Sequence, residues 1–277
     1  MPNPTTPNPV FLSKFVLWIV TIVVATLLLR RHKVTARVRL VLLVGGTLLF
    51  GIVYGFAAQG DTNPNPVFSI RNVLTAILVK HQLTPLIAGM LAILLLTVFV
   101  SNKSICGWGC QLGLLQDLLH RVPLPKQRPE SIEKWKPPFW LSNSVRIVAF
   151  MALVGGLAVA GRDWIKPVDP FGPFNWQFTL GMLGLFGGVV VASLFVYRPW
   201  CQFLCPFGLA GWLVEQVSLL RPRINRDVCK ECRLCVKACP TQAMADFYAD
   251  KKIHADCFAC GACIAACPHN EALEWKR

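Results

Sequence analysis

The chain has 277 residues, of which 54% are hydrophobic and 15% are charged, and its formal net charge is +14. Soluble domains carry about 25% charged residues, so this composition excludes an ordinary soluble globular protein. The positive charge does not indicate a nucleic-acid-binding domain, because it lies in segments between apolar runs rather than on one basic face. We interpret it as charge that sets membrane topology and contacts anionic headgroups.

Five apolar runs have about the length that a helix needs to cross a bilayer, which is roughly 17–25 residues. Because core helices of soluble proteins rarely stay uncharged for so long, we predict an α-helical integral membrane protein with about five transmembrane helices. The first run is not expected to be a cleaved signal, since the basic stretch RRHKVTARVR follows it instead of a small-residue cleavage site. The runs are residues 10–29, 40–58, 83–100, 145–161 and 178–197.

Lysine and arginine residues alternate in abundance from one inter-span segment to the next. The positive-inside rule then predicts a multi-pass protein of the bacterial inner membrane, with its N-terminus outside and its C-terminal tail in the cytoplasm. The basic segments are residues 30–39 with five such residues, 101–146 with seven and 198–277 with eleven; the others are 1–14 with one, 58–82 with two and 161–177 with two.

The tail contains the run CKECRLCVKACP from Cys229 and the run CFACGACIAACP from Cys257. Each is C-x2-C-x2-C-x3-C-P, and two such runs are typical of an α+β bacterial ferredoxin domain with two 4Fe–4S clusters. The fourth cysteine of each run ligates the other cluster. We therefore assign Cys229, Cys232, Cys235 and Cys267 to one cluster, and Cys257, Cys260, Cys263 and Cys239 to the other.

Other roles for the tail cysteines are less consistent with the sequence. Structural zinc commonly uses pairs of ligands with longer gaps between them, and a reducing cytoplasm disfavours disulfides. The basic residues between the ligands, Lys230, Arg233 and Lys237, are expected to be solvated. Docking of an acidic redox partner is a second role for them.

Two further cysteine pairs follow the third and fifth apolar runs, in ICGWGCQLGLL (residues 105–115) and RPWCQFLCPFG (residues 198–208). Spans two and three with the first pair look like a diverged copy of spans four and five with the second. Packing of the two copies would bring the pairs together as a third iron–sulfur centre or a Cu(I) site, while free thiols packed at the membrane boundary remain the alternative. The four residues are Cys106, Cys110, Cys201 and Cys205.

Three shorter stretches have helical periodicity. LGLLQDLLH and FGLAGWLVEQVSLL follow the cysteine pairs and are predicted to be amphipathic helices in the cytoplasmic interface. FSIRNVLTAILVKHQ, residues 68–82, is predicted to be a surface helix on the outer side. Its Arg71, Lys80 and His81 are expected either to face an acidic periplasmic partner or to anchor the helix at the headgroups.

The two CxxxC motifs and the double-cluster tail resemble the NapH-type family over roughly residues 40–277. These are membrane quinol dehydrogenase subunits of periplasmic nitrate reductase systems, related to the membrane part of the nitrous oxide reductase maturation protein. The resemblance implies oxidation of membrane quinol and electron delivery, within an oxidoreductase complex, to a periplasmic ferredoxin-like or cytochrome c acceptor. The chain departs from the family pattern in its extra first span and in CGWGC, which lacks a following proline.

A quinone site needs a protonatable group at the interface, and Asp117, His120 and Glu215 are the candidates. No histidine is expected in the middle of a span, so a bis-histidine haem is not predicted. We divide the chain into an extra N-terminal helix with its basic loop (1–39), a first hairpin with CxxxC (40–115), a cytoplasmic linker (116–144), a second hairpin with CxxxCP (145–222) and the ferredoxin domain (223–277).

The sequence thus favours a membrane electron-transfer subunit that connects the quinone pool with a redox partner through 4Fe–4S clusters. Two alternatives stay open. One is a metal-handling assembly factor whose CxxxC thiols bind and reduce copper, and the other is a subunit that senses redox state.

Overall fold

The computed structural model describes residues 9–57, 65–122, 135–269 and 271–277. Within these residues the chain is mostly helical, with one antiparallel sheet of two strands. The centre of the predicted linker, residues 123–134, lies outside the described residues.

The first half of the chain ends in two short helices that carry the first cysteine pair. Its elements are α1 (Pro9–Arg30), α2 (Ala36–Gly46), a π-helical segment (Thr47–Val53), α3 (Tyr54–Ala57), α4 (Pro66–Leu78), α5 (Pro85–Ser101), α6 (Ser104–Trp108) and α7 (Gln111–His120).

The second half repeats this order, with two 3-10 turns in place of α4, and the tail follows it. The elements are α8 (Phe139–Ala160), the turns Lys166–Val168 and Gly172–Asn175, α9 (Leu180–Phe195), α10 (Pro199–Phe203), α11 (Pro206–Glu215), β1 (Arg221–Ile224), α12 (Leu234–Ala238), α13 (Ala243–Tyr248), α14 (Ala262–Ala266) and β2 (Leu273–Lys276).

All five predicted apolar runs lie on helices, but only three helices of the described residues are long and apolar enough to span a membrane by themselves. These are α1, α2 with its π-helical continuation, and α8. Helices α5 and α9 have 17 and 16 residues. Large apolar side chains point outward along the helices, including Val159 at 90% exposure and Leu180 at 89%. Such an apolar exterior is expected of a protein that faces lipid.

Two helices begin earlier than the apolar pattern predicted, because local capping decides where they start. Helix α2 begins at Ala36, where the Thr35 hydroxyl accepts a hydrogen bond from the Val38 N–H at 3.3 Å. Helix α8 begins at Phe139, directly after Pro138, whose backbone is extended. Proline favours a helix start and is excluded from a helix interior. Both helices therefore cross the predicted boundaries at residues 40 and 145.

A helix is present in the predicted stretch 68–82 as α4, which ends at Leu78, and the Asn65 side chain caps it by accepting from the Phe68 N–H at 2.7 Å. It is not the predicted surface helix, because nearly all of its residues are buried or half-buried. Its Arg71 does not face a partner protein, and in this respect the prediction was wrong. The guanidinium is buried and forms ion pairs with Asp163 at 2.6 Å and Asp169 at 2.5 Å. It therefore fastens α4 to the loop that precedes α9.

The tail is fixed to the ends of the membrane helices. The backbone N–H groups of Leu219 and Leu220 donate to the carbonyl oxygens of Phe99 and Val100, at 2.7 and 3.0 Å. Strand β1 then pairs with β2 from Arg221↔Lys276 to Ile224↔Leu273. A second buried apolar cluster joins the end of α1 to the tail, and it includes Ala25, Leu29, Val34, Met244, Ile264 and Trp275.

Candidate metal centres

The two juxtamembrane cysteine pairs occupy equivalent positions in the two halves. Cys106 and Cys201 are each the third residue of a five-residue helix, α6 and α10. Cys110 and Cys205 each directly precede a ten-residue helix, α7 and α11, and have extended backbone conformation. The predicted repeat is therefore visible in the local structure around the cysteines.

A glycine three residues after each pair lets the second short helix approach the first. A Cβ atom on Gly113 would lie 2.6 Å from the Cys106 carbonyl oxygen, and one on Gly208 would lie 2.5 Å from the Cys201 carbonyl oxygen. Side chains do not fit at such distances from backbone atoms, so both positions require glycine. The Gly-Leu that follows each pair in the sequence is explained by this packing.

The structure brings the four thiols together in one buried region. Each of the four cysteines is 6% exposed, and all belong to the same apolar cluster. Burial raises the pKa of Cys106, and the charges of Cys110, Cys201 and Cys205 raise it further. Four thiolates in one buried region require neighbouring positive charge if they are to be ionised together.

Three fully buried cations supply that positive charge. The Arg198 guanidinium donates to the Cys106 carbonyl oxygen at 2.5 Å, and the Arg146 guanidinium donates to the Cys201 carbonyl oxygen at 3.2 Å. Lys103 lies three residues before Cys106 and has no exposed surface. Each of these cations lowers the pKa of at least one of the four thiols. The pocket is therefore suited to an anionic group ligated by thiolates.

A loop of the tail packs directly against both cysteine pairs. The Trp108 indole N–H donates to the Ala259 carbonyl oxygen at 2.8 Å. A Cβ atom on Gly107 would lie 2.2 Å from the Phe258 carbonyl oxygen, so this contact also requires glycine. The Phe258 ring meets the Tyr197 ring edge to face, with centroids 5.9 Å apart. Its centroid lies 5.2 Å from Lys103 Nζ and 5.0 Å from Arg198 Cζ.

A buried network of charges holds this loop in place. Asp256 forms ion pairs with Lys103 and, at 3.1 Å, with Arg146. Glu215 lies 3.6 Å from Lys103 Nζ and accepts from the Cys257 N–H at 3.3 Å. Burial raises the pKa of Glu215 to about 7, although the charge of Lys103 opposes this shift. The network ties the membrane helices to the first ligand residue of the second tail run.

We expect Asp256→Asn to destabilise the docked tail, because it leaves Lys103 and Arg146 buried with less compensating charge. The free energy of unfolding should fall by about 3–5 kcal/mol, the cost of removing one partner from a buried pair. Chemical unfolding in detergent, followed by tryptophan fluorescence, measures the change. Asp227→Asn is the matched control, since Asp227 is exposed on the same tail. Equal stability of the two variants would contradict the assigned role of Asp256.

The eight tail cysteines line two separate cavities, and each cavity contains four of them. Among the described residues, no group of three or more Cys, His, Asp or Glu side chains is close enough to hold a single metal ion. A cubane cluster instead places one thiolate on each of its four irons, so its ligands surround a larger volume. One cavity includes Cys239, Cys257, Cys260 and Cys263, and the other includes Cys229, Cys232, Cys235 and Cys267.

Two family models match the chain, and both describe iron–sulfur proteins. A 4Fe-4S dicluster domain matches residues 221–269. A 4Fe-4S binding domain matches twice, at residues 82–130 and 178–226. Each of these two matches contains one CxxxC pair, so a family model that describes 4Fe-4S binding covers both copies of the repeat. Neither model describes copper binding, and the metal-handling alternative gains no support.

The relatives include proteins of electron transport. The putative electron transport protein YccM of Escherichia coli is 25% identical over 227 residues, which are 76% of this chain and 62% of that protein. The ferredoxin-type protein NapH of Haemophilus influenzae is 28% identical over 192 residues, 65% of this chain and 64% of that protein. The regulatory protein NosR of Pseudomonas aeruginosa is 25% identical over 256 residues, 85% of this chain and 33% of that protein.

The chain is thus similar to NapH and to other ferredoxin-type electron transport proteins. These similarities support the resemblance expected from the two CxxxC motifs and the tandem tail runs, and they support the iron–sulfur character and the membrane location. The matched region covers less than two thirds of YccM, NapH and NosR alike. No solved structure matches the chain significantly.

The three quinone candidates lie in different surroundings. Asp117 is buried and forms ion pairs with Arg39 at 2.8 Å, Arg121 at 2.9 Å and Arg198 at 3.0 Å. Burial opposes ionisation of Asp117, but the three arginines hold its pKa far below the usual range. Asp117 is therefore a structural anion rather than a solvated interface charge.

His120 and Glu215 end the two short helices α7 and α11. The His120 Nδ1 lies 3.3 Å from the Ser193 carbonyl oxygen, and the ring meets Tyr197 edge to face at 5.4 Å. Glu215 is fully buried in the network with Lys103. Helices α7 and α11 are themselves largely buried, so the prediction of two interfacial amphipathic helices was wrong for both. Their apolar faces pack between the spans and the tail.

Sequence reasoning missed the buried charges around the cysteines. Lys103 and Arg198 each lie three residues before the first cysteine of a pair, and this shared position was the available signal. Asp256 directly precedes the first cysteine of the second tail run and carries no such signal.

Proposed function

We propose that this chain is a membrane electron-transfer subunit that carries electrons between the quinone pool and a redox partner. The contact of the loop of residues 257–259 with both CxxxC segments is the observation that carries the proposal. It gives a continuous protein path from the membrane boundary to the surface of the tail. The names of its relatives and both 4Fe–4S family models support the same role.

Twelve cysteines provide ligands for three 4Fe–4S clusters in this proposal. When bound, these clusters supply one-electron redox chemistry between the membrane boundary and the tail surface. The chain itself sets the order of the three sites, because the cavity of the second tail run adjoins the membrane site through Phe258. The proposed sets are Cys106, Cys110, Cys201 and Cys205; Cys239, Cys257, Cys260 and Cys263; and Cys229, Cys232, Cys235 and Cys267.

The proposed topology has five spans, the N-terminus outside and the ferredoxin domain, an α+β unit, in the cytoplasm of a bacterial inner membrane. The alternation of basic segments supports it. Helices α5 and α9 reach about 24–26 Å at 1.5 Å per residue, close to the thickness of the hydrocarbon core. The five-part division of the chain at residues 39, 115, 144 and 222 belongs to the same proposal as an order of parts, and its first three boundaries fall inside α2, α7 and α8.

Quinol is the proposed membrane donor, and each molecule releases two electrons and two protons on oxidation to quinone. Of the candidate proton acceptors we retain His120 and Glu215, because three arginines keep Asp117 ionised. The acceptor of the electrons is proposed to be another redox subunit, either a periplasmic ferredoxin-like protein or a cytochrome c.

Iron analysis of anaerobically purified protein tests the proposed cofactor content. Three clusters require about twelve irons and twelve inorganic sulfides per chain. The same sample in proteoliposomes should show cluster reduction, by absorbance and electron paramagnetic resonance, when a quinol is added. About eight irons would remove the membrane site from the proposal, and colourless protein without iron would contradict the proposal as a whole.

A further inference from the structure

A cavity rich in basic side chains lies on the tail beside strand β1, and its volume is about 220 Å³. Four of its lining residues are basic, namely Arg221, Arg223, Arg226 and Lys251, and Asp250 is its one acidic lining residue among the described residues. The cavity therefore carries an excess of positive charge, and we call it the basic cleft.

Two guanidinium groups of the basic cleft form no ion pair among the described residues. Arg221 and Arg223 alternate with Pro222 along β1 and so project on the same side of the sheet. Within the described residues neither guanidinium forms an ion pair, and the Nε atoms of both are buried without a hydrogen-bond acceptor. Burial and the charge of Arg223 lower the pKa of Arg221. The charge of Asp250 opposes this shift. The excess positive charge of the basic cleft is therefore available to attract an anion from outside the chain.

The other two basic residues already have partners. Lys251 forms an ion pair with Asp246 at 2.8 Å. Arg226 donates to the Tyr248 carbonyl oxygen and lies over the Tyr248 ring, with its Cζ 4.6 Å from the centroid. Arg221 and Arg223 are therefore the two residues of the basic cleft whose positive charge is available to pair with an external anion.

The basic cleft lies between the two cysteine cavities of the tail. Pro222 lines both the basic cleft and the cavity that contains Cys257, and Ile224 lines both the basic cleft and the cavity that contains Cys229. The basic cleft thus adjoins both cysteine cavities.

The cysteine cavity that contains Cys229 adjoins the basic cleft, and of the proposed cluster sites it is the one that is most accessible from solvent. Cys232 is exposed, whereas the four juxtamembrane cysteines are buried. Leu234, next to the ligand Cys235, is 44% exposed and offers an apolar contact beside it. An accessible ligand, an apolar contact and an unpaired positive cleft together are features of a protein docking surface.

We propose that the basic cleft is the docking site for an acidic redox protein, whose carboxylates pair with Arg221 and Arg223. This inference rests on the proposed function and adds to it a redox protein that meets the tail on its cytoplasmic side, distinct from the proposed periplasmic acceptor. An acidic protein satisfies the two guanidiniums and brings its redox group beside the accessible cluster site. A lipid headgroup would satisfy the guanidiniums alone, so the position of the basic cleft favours the protein.

The test uses the full chain in nanodiscs of phosphatidylcholine, reduced with dithionite and freed of excess reductant. It is mixed with the soluble domain of ferric cytochrome b5, an acidic probe, or with ferric cytochrome c, a basic one. In each reaction one electron leaves a reduced 4Fe–4S centre and converts ferric haem iron to ferrous, and no bond is formed or broken. Stopped-flow absorbance at several ionic strengths gives the second-order rate constants.

We expect Arg221→Gln/Arg223→Gln to lower the rate constant with cytochrome b5 about tenfold at low ionic strength and to flatten its dependence on salt. The rate with cytochrome c should not fall. The control is Lys252→Gln/Arg277→Gln, which removes equal charge from exposed residues of the same tail outside the basic cleft. It should change the cytochrome b5 rate by less than about twofold, since these two exposed residues do not line the basic cleft and exposed charges are screened.

Equal effects of the two double variants on cytochrome b5 would overturn the inference. It would also be overturned if the Arg221/Arg223 variant kept its cytochrome b5 rate and lost co-purifying phosphatidylglycerol, because the basic cleft would then be a headgroup site. Wild-type protein without reducible clusters would overturn the proposed function and this inference with it. If the wild-type protein carries reducible clusters but Arg221→Gln/Arg223→Gln leaves the rate constant with cytochrome b5 unchanged, only this inference is overturned and the proposed function stands.

Discussion

Gly107→Ala is expected to separate the tail from the membrane site while both keep their own ligands. The new Cβ atom would lie 2.2 Å from the Phe258 carbonyl oxygen, so the loop must move away. Such overpacking costs about 1–3 kcal/mol, which lowers the equilibrium constant for docking by roughly 5- to 150-fold. Hydrogen exchange of residues 255–261 should rise, and quinol-driven reduction of the tail should slow.

The control for this change is Gly155→Ala, a glycine of α8 whose added Cβ atom would meet nothing within 4 Å. It should leave both exchange and reduction at the wild-type rate. Dithionite should reduce the tail clusters of both variants, because it reaches them from solvent. A Gly107→Ala protein that transfers electrons from quinol at the wild-type rate would show that the loop contact is not on the electron path.

Cys201→Ser is expected to remove the membrane cluster and leave the tail clusters intact. One of four thiolates is lost from a site that is closed to solvent, so iron content should fall from about twelve to about eight per chain. Quinol-driven reduction of the tail should stop, while dithionite still produces the electron paramagnetic resonance signals of the two tail clusters.

The reciprocal variant is Cys232→Ser, which alters the exposed ligand of the tail cavity farther from the membrane. It should disturb one tail cluster and preserve quinol-driven reduction of the others. Unchanged iron content and unchanged turnover in Cys201→Ser would show that the four juxtamembrane thiols hold no cluster and serve only in packing.

The sequence predicted those features that depend on local pattern. Apolar runs predicted the long helices, since a bilayer requires an uninterrupted stretch of apolar side chains. The spacing of the tail cysteines predicted two ligand sets, and the described cavities divide the same eight residues in the same way. The repeat was predicted by the common order of span, cysteine pair and Gly-Leu, and the same family model matches both copies.

Features that depend on contacts between distant segments were not predictable from local pattern. Lys103 and Arg198 resemble ordinary juxtamembrane charges in the sequence, and only the fold shows that they are buried. Asp256 is 153 residues from Lys103 along the chain, so their pairing has no local signature. Arg71 was expected at an external partner or at the headgroups for the same reason, because Asp163 and Asp169 are far from it in sequence.

The covering of the membrane site by the loop at Phe258 has a consequence for biogenesis. Neither half of the repeat supplies more than two of the four thiols, so the site exists only after the last span has been made. Once the loop docks, the thiols are 6% exposed and the entrance is closed. In the proposed protein with three clusters, iron for the membrane site would therefore have to arrive after insertion of the last helix and before closure of the tail, so maturation would follow a fixed order of steps.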